Sequence, residues 1–323
     1  MDAAGSPVPE AGMSLLTRRN LLAAGATLLA TGASGSAYAM VIEPGFRLIV
    51  QEYRIPMASW GDRPELLICA TADLHSGDPW MPLSRVERIV DLANRLQPDL
   101  HVVLGDLPGA LRGRFRRAFP APPPEETAWR LGRLEAPLGV FAVTGNHDWW
   151  DDREAVLNRQ GPPRSARAMS EAGLRLLSNE ATRLPLGPPG RDGGVWLSGI
   201  DSQQAFWPLM HWEGADDLPA ALAPLALDDA PAILLAHEPD IFPHVPARVG
   251  LTLSGHTHGG QIRILGYSPI VPSRYGRRYA YGLVEEEGRR LVVSGGLGCS
   301  RYPVRFGVPP ELTLVRLGPP GKA

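Results

Sequence analysis

Leu66-Leu67-Ile68-Cys69-Ala70 is an unbroken apolar run, and shortly beyond it stand Asp73, Leu74 and His75. A short run without polar alternation, bounded by polar residues, reads as a strand buried on both faces. The pattern recurs along the chain. Leu100 to Leu104 ends at Gly105-Asp106, Gly139 to Val143 leads into Gly145-Asn146-His147-Asp148, and Val195 to Ile200 precedes Asp201. Ala232 to Ala236 precedes His237, and Leu251 to Leu253 precedes Gly255-His256-Thr257-His258. Between the first two runs, Ser84-Arg85-Val86-Glu87 has the capping-box pattern, and Val86, Ile89, Val90, Ala93 and Leu96 follow at helical spacing until Pro98. That is a βαβ unit. A further helix is expected from Glu125 to Leu134. In open α/β sheets ligands gather outside the carboxyl ends of strands, so polar residues repeated at those ends imply one shared site.

Toward the C terminus the pattern changes to short strands without intervening helices: Tyr281 to Glu285, Arg290 to Ser294 and Leu312 to Leu317, with Glu287-Gly288 as a hairpin turn. That half is expected to be antiparallel in character. Proline-rich stretches at Pro120 to Pro124, Pro162-Pro163 and Pro188-Pro189 read as surface loops, and there is no internal repeat.

Five motifs in order, each at a predicted strand end, carry the chemistry: Asp73-Leu74-His75, Gly105-Asp106, Gly145-Asn146-His147-Asp148, Ala236-His237 and Gly255-His256-Thr257-His258. A lone buried histidine is usually a satisfied core residue, but five of the eight histidines fall in these motifs. Carboxylate, amide oxygen and imidazole in this mixture suit Zn, Mn or Fe rather than Ca. In an extended loop Asp73 and His75 would project from one side, as would His256 and His258, because the side-chain period is two. His101, His211 and His244 lie outside the motifs and take no role.

Together the motifs resemble the calcineurin-like metallophosphoesterases. Within them the match is closest to the exported, YkuE-like bacterial phosphodiesterases, through Gly255-His256-Thr257-His258-Gly259-Gly260-Gln261 and Pro303-Val304-Arg305-Phe306-Gly307-Val308-Pro309-Pro310-Glu311. The resemblance implies a four-layer α/β/β/α sandwich of two mixed sheets flanked by helices. It implies two divalent metal ions, one held by Asp73, His75 and His258, the other by Asn146, His237 and His256, with Asp106 bridging. With a bridging hydroxide as the attacking nucleophile such a site keeps a net charge of about +1, which attracts phosphate. His147 is, by resemblance, the residue that contacts the substrate phosphate and protonates the leaving alkoxide, oriented by Asp106. One departure stands out. After Gly105-Asp106 these relatives often carry another acidic residue, where this chain reads Leu107-Pro108-Gly109.

Residues 1–39 read as a Tat-type signal peptide and residues 40–323 as a single domain. Thr17-Arg18-Arg19-Asn20-Leu21-Leu22 opens an apolar stretch to about Ala30, and Ala37-Tyr38-Ala39 is a small-x-small processing site. The stretch is broken by Gly25 and Thr27 and is shorter than a membrane span needs. The expected location is the periplasm or cell surface, reached through the Tat machinery, either free or in peripheral contact with a membrane.

The 323 residues, 44% hydrophobic and 20% charged, fit a globular chain, and a formal net charge of -2 gives no field favouring nucleic acid. Cys69 and Cys299 are expected to stay unpaired, Cys69 because it sits within an apolar run. Arg112, Arg114, Arg116 and Arg117 are open to two readings, a solvated basic face or contacts to an anionic head group or second phosphate. Trp149 and Trp150 either stack on substrate or pack beneath their loop. The leading expectation is a phosphodiesterase acting on an envelope, lipid or nucleotide phosphoester. The alternatives are a pyrophosphatase resembling the UDP-diacylglucosamine hydrolases, which export disfavours, and a non-catalytic metal- or phosphate-binding envelope protein, which the presence of His147 disfavours.

Overall fold

Alternation along the buried strands builds the layers of this protein, whose computed structural model describes residues 32–187, 193–206 and 213–321. The strands of the first half are β1 (Ile49–Pro56), β2 (Leu66–Thr71), β3 (Leu100–Val103), β4 (Ala110–Leu111), β5 (Val140–Ala142), β6 (Arg175–Leu176) and β7 (Glu180–Leu184). Those of the second half are β8 (Val195–Gly199), β9 (Ala232–Leu235), β10 (Leu251–Ser254), β11 (Gly282–Glu286), β12 (Arg289–Val293), β13 (Ser300–Arg301) and β14 (Glu311–Gly318). They form two six-stranded mixed sheets, ordered β1-β14-β2-β3-β5-β6 and β11-β12-β10-β9-β8-β7, and a small β13-β4 pair.

On β2, Ile68 and Ala70 face the second sheet, where they share a core with Ile233, Leu235, Leu251 and Leu253, while Cys69 faces the other way. On β9, Ala232 and Leu234 likewise turn outward. Because successive side chains point to opposite faces, each sheet contributes one half of the central core and one half of an outer core. The outer core of the first sheet is closed by α1 (Leu83–Arg95), which contributes Val86, Ile89, Val90 and Ala93. After the short α2 (Gly113–Ala118), α3 (Pro124–Leu131) adds Ala128 and Leu131 to it. Beyond α4 (Asn146–Trp150) and α5 (Arg153–Asn158), α6 (Arg164–Glu171) adds Ala168 and Met169. The second sheet is covered on its outer side by α7 (Leu218–Leu222) and a 3-10 turn carrying Ile241 and Phe242. The architecture is therefore the four-layer α/β/β/α sandwich.

Three expectations differ from the structure. Helix α1 begins at Leu83 with Pro82 as its N-cap, so Ser84 lies inside the first turn and makes no capping bond. Proline at that point already presets the entry to the helix, and the Pro82 carbonyl accepts from Arg85 N–H at 2.8 Å. The C-terminal strands are not wholly antiparallel. The β11–β12 hairpin turns at Glu287-Gly288, both at positive φ, but β12 runs parallel to β10, and β14 runs parallel to β1 and antiparallel to β2. Pro124 opens α3 and is buried, so the 120–124 stretch is a surface loop only in part. Pro188-Pro189 lies outside the described residues.

Residues 32–46 form one continuous helical segment with a π-turn over Tyr38–Ile42. Arg85 clamps its end by donating to the carbonyls of Pro44, Trp80 and Arg47. Glu43 is buried and accepts from Val308 N–H at 2.8 Å. No helix among the described residues is long and apolar enough to cross a membrane.

Candidate metal centre

The loops leaving β2, β3 and β5 in one sheet and β9 and β10 in the other meet at one end of the sandwich. They bring Asp73, His75, Asp106, Asn146, His237, His256 and His258 into a single buried cluster. Donor atoms of Asp73, His75 and His258 lie within 4.8 Å of one another, as do those of Asp106, His237 and His256. Asn146 joins the second group, its Oδ1 being 2.8 Å from His256 Nδ1. Asp106 Oδ2 lies between them, 3.5 Å from His75 Nε2 and 3.3 Å from His237 Nε2.

The local backbone departs from the extended geometry expected of the D-x-H and H-x-H spacings. Asp73, His75, Asp106, His256 and His258 all sit at positive φ, between 43° and 68°. Left-handed backbone costs a residue with a Cβ about 1–3 kcal/mol, so it persists only where surrounding bonds hold it. Here they do. Asp73 N–H donates to Gly105 O (3.1 Å), His75 N–H to Asp106 O (3.0 Å), and His256 N–H to the Asp73 carboxylate (3.0 and 3.1 Å). Tight turning, not period-two alternation, aims the paired ligands. Gly145 makes room for it, since a Cβ there would meet Asp106 Oδ1 and stand 2.7 Å from the His237 ring.

Three of the candidate ligand histidines are oriented from their far nitrogen by a backbone carbonyl. His75 Nδ1 donates to Pro108 O (2.9 Å), His237 Nδ1 to Leu104 O (2.6 Å) and His256 Nε2 to Pro272 O (3.0 Å). Such bonds fix tautomer and ring direction and leave the opposite nitrogen as a lone-pair donor. The carbonyl that orients His75 thus belongs to the Leu107-Pro108-Gly109 stretch itself. The fourth ring, His258, has Arg305 Nη2 at 3.2 Å from its Nδ1.

The donor set fits divalent metal ions. His237 Nε2 is fully buried and has no hydrogen-bond partner among the described residues, yet it faces Asp106 Oδ2 at 3.3 Å and Asp73 Oδ1 at 3.9 Å. With Nδ1 already donating, lone pairs face lone pairs unless a proton or a metal cation stands between them, and a divalent ion meets the same need with these donors. The ionisation tendencies express the same conflict. Burial alone would discharge His237, but Asp106 holds it well above the usual imidazole range. Burial raises Asp73 to about 7, and burial together with the His237 charge lowers His256 to about 3. Although burial works against it, the neighbouring His237 and His147 rings hold Asp106 well below the usual carboxylate range.

His147 stands beside the cluster, its donor atoms within 4.8 Å of those of His75 and Asp106. Its ring meets His75 edge-on at 5.0 Å and Trp150 at 4.9 Å. Asp106 contacts its backbone, accepting from His147 N–H at 2.8 Å, so the carboxylate positions the loop rather than the imidazole. Burial lowers the His147 ring to about 3, and it stands neutral near pH 7. Trp149 is buried, donates from Nε1 to Asp201 (2.7 Å) and packs on Phe206, so it serves beneath the loop and not on its surface. Trp150 is half-buried, anchored to Gln204 O at 2.8 Å.

Two contributors stand inside motifs read from the sequence but are given no role there. Asp148 accepts from the backbone N–H groups of Asp106 (2.7 Å), Gly145 (2.8 Å) and Leu107 (3.1 Å), which staples the loop after β3 to the loop after β5. Arg305 is fully buried and donates to the carbonyls of Gly295, Gly298 and Val308. His101 is buried in β3 away from the cluster, His244 ends the 3-10 turn of the second sheet, and His211 lies outside the described residues. Cys69 and Cys299 are buried and unpaired.

Comparison with known proteins agrees with this geometry. Residues 66–260 match the family model described as calcineurin-like phosphoesterase. The chain is 30% identical to the uncharacterized metallophosphoesterase YkuE of Bacillus subtilis, over 94% of this chain and 99% of that one. It is 29% identical to an uncharacterized metallophosphoesterase of Aquifex aeolicus, over 84% and 92%, and 28% identical to phosphodiesterase YaeI of Escherichia coli, over 94% and 100%.

Proposed function

The chain belongs to the calcineurin-like phosphoesterases, metal-dependent phosphoester hydrolases, and from that premise we propose that it hydrolyses a phosphodiester of the cell envelope. The observation that carries the reading is the placement of His147, a neutral imidazole that stands against the two ligand groups. Likeness to phosphodiesterase YaeI supports the diester, and the apolar run after Arg18-Arg19 supports export.

Asp73, His75 and His258 would hold one ion and Asn146, His237 and His256 the other, with Asp106 between them. Such a pair of ions acidifies water and neutralises phosphoryl charge. The chain's own residues do the rest. One ring N–H of His147 donates to the oxygen that leaves, and as a neutral imidazole it stabilises developing charge by hydrogen bonding. Trp150 and His75 both pack against that ring. Asp148 keeps the Asp106 and Asn146 loops in register, so the ligands need no rearrangement during turnover.

Protein loaded with Mn, Zn or Fe should hydrolyse bis(p-nitrophenyl) phosphate faster than p-nitrophenyl phosphate and lose that activity to a chelator. Asp106→Asn should bind both ions more weakly and turn over far more slowly while staying folded. Faster monoester cleavage would defeat the diester assignment, and two bound ions without any turnover would leave a metal-binding protein.

A further inference from the structure

The loop after β10 leaves the metal centre, runs out to a hairpin and returns to it. Gln261 N–H donates to His258 O at 2.9 Å at its start, and Pro272 O holds His256 near its end. At the hairpin, Ile264 and Tyr267 exchange both backbone bonds at 2.9 Å, and Leu265 and Gly266 between them stand at positive φ, 49° and 81°. A two-residue turn of this kind ordinarily falls to Asn-Gly or Asp-Gly. Leucine there bears left-handed strain and gains no burial, being fully exposed, and Ile264 and Tyr267 are each more than half exposed. Burial within the fold does not account for these side chains.

The apolar surface continues beyond the hairpin. Arg263 N–H donates to Phe306 O at 2.7 Å, and the exposed Phe306 ring meets Tyr38 edge-on at 6.1 Å. Tyr38 lies on the segment that exposes Met40, Val41, Ile42 and Phe46. Because β14 runs antiparallel to β2, its first residue lies at the end of β2 from which Asp73 follows, so the 303–310 tail stands at the metal-centre end of the sandwich. Ile49 N–H donates to Pro310 O at 2.9 Å and brings the N-terminal segment there too. Eleven of the sixteen large hydrophobic side chains exposed among the described residues fall in segments 38–47, 261–280 and 299–308. Apolar side chains concentrated in this way mark an interaction surface, where scattered ones would not.

The charge on these segments has one sign. Arg47, Arg274, Arg277 and Arg301 are exposed, and the only acid, Glu43, is buried against Val308. Arg277 lies over the Tyr267 ring at 4.3 Å. Arg112 N–H donates to Arg301 O at 3.1 Å, which brings the basic stretch that begins at Arg112 to the same edge. A chain with a formal net charge of -2 thus gathers arginines around its exposed apolar side chains. Apolar side chains that enter an acyl layer and cations that meet anionic head groups are the two signals that together hold a protein on a membrane surface.

We propose that this end of the molecule docks on an anionic lipid surface, with the Ile264-Leu265-Gly266-Tyr267 turn and the 40–46 segment entering the acyl boundary and the arginines meeting the head groups. The inference goes beyond the phosphodiesterase reading and does not depend on turnover. Its consequence is positional. A loop that starts and ends on metal-centre histidines sets that centre against the head groups when it docks.

The test is sedimentation of the full chain with vesicles of phosphatidylcholine alone and of phosphatidylcholine mixed with phosphatidylglycerol. The anionic vesicles should carry the protein down and the neutral ones far less. Leu265→Asn should weaken binding about tenfold, while its thermal midpoint should not fall, since asparagine suits the left-handed turn. Arg112→Gln and Arg301→Gln should each weaken binding to the anionic vesicles about fivefold and leave binding to the neutral ones unchanged. Equal binding to both vesicle types would overturn the proposal. So would undiminished binding of Leu265→Asn, which would assign attachment to the apolar stretch after Leu21. Light scattering without lipid covers the remaining occupant: a dimer that Leu265→Asn disperses would give this face to a second copy of the chain and overturn the lipid. None of these readings involves hydrolysis, so failure here leaves the phosphodiesterase reading to its own test.

Discussion

On the proposed reading, His147 is the side chain that separates catalysis from metal binding. With His75 and Asp106 it forms a third group whose donor atoms lie within 4.8 Å of one another, but it stands outside the two sets that the proposed reading gives to the ions, and its ring is in aromatic contact with His75 and Trp150. His147→Ala should therefore retain both ions while losing about 10²–10³-fold in rate on diesters with alkoxide leaving groups, the cost of removing one hydrogen-bond donor from the developing charge. A nitrophenolate departs with little help, so the loss there should be smaller. Elemental analysis and kinetics on the two substrate types check this. Equal losses would move the imidazole from the leaving oxygen to the phosphoryl oxygens, and loss of metal would make it a ligand.

At the scale of the element, the site consists of strand ends and the turns that leave them. Five ligand residues occupy left-handed backbone, and the loops interlock: Gly255 N–H donates to His237 O at 3.0 Å, and Gly298 N–H donates to Asp73 O at 2.7 Å. Gly145, between β5 and α4, has an ordinary extended backbone with φ of -107°, so alanine fits its dihedrals. What alanine cannot do is share space with Asp106 and His237. Gly145→Ala should cost about 1–3 kcal/mol of stability through overpacking, and metal affinity should fall by a larger proportion, because both ligand groups are displaced. Thermal unfolding and metal titration of the same variant separate the two. Unchanged metal affinity would mean that the loops yield without moving the ligands.

At the scale of the molecule, residues 32–46 tie the N-terminal segment to the body. Arg305 N–H donates to Ala39 O at 2.8 Å, Trp80 holds Met40 O, Glu43 holds Val308 N–H, and Arg85 holds the carbonyls of Pro44 and Arg47. Met40, Val41, Ile42 and Phe46 remain exposed on this segment. Export by the Tat route predicts that replacing Arg18-Arg19 with two lysines holds the folded, active protein in the cytoplasm. Fractionation of cells checks it, and unaltered distribution would count against the route.

The sequence by itself determined the buried strands β2, β3, β5, β8, β9 and β10 and the residues that end them. Both are written locally, as apolar runs followed by carboxylate, amide and imidazole. The weakly patterned edge strand β1 was not legible, because its residues are half-exposed and its identity depends on pairing with β14, more than two hundred residues away. Family resemblance gave His256 and His258 to different ions, but their spacing by one residue pointed to a shared side, and what turns them apart is left-handed backbone held by bonds to Asp73 and the β9 loop. Burial of Arg305 and the bond from His75 to the Pro108 carbonyl likewise exist only once separate segments meet. Ligand chemistry resides in side-chain type and is read one residue at a time. Ligand geometry is a property of contacts between segments far apart in the chain, and only the folded structure has those contacts.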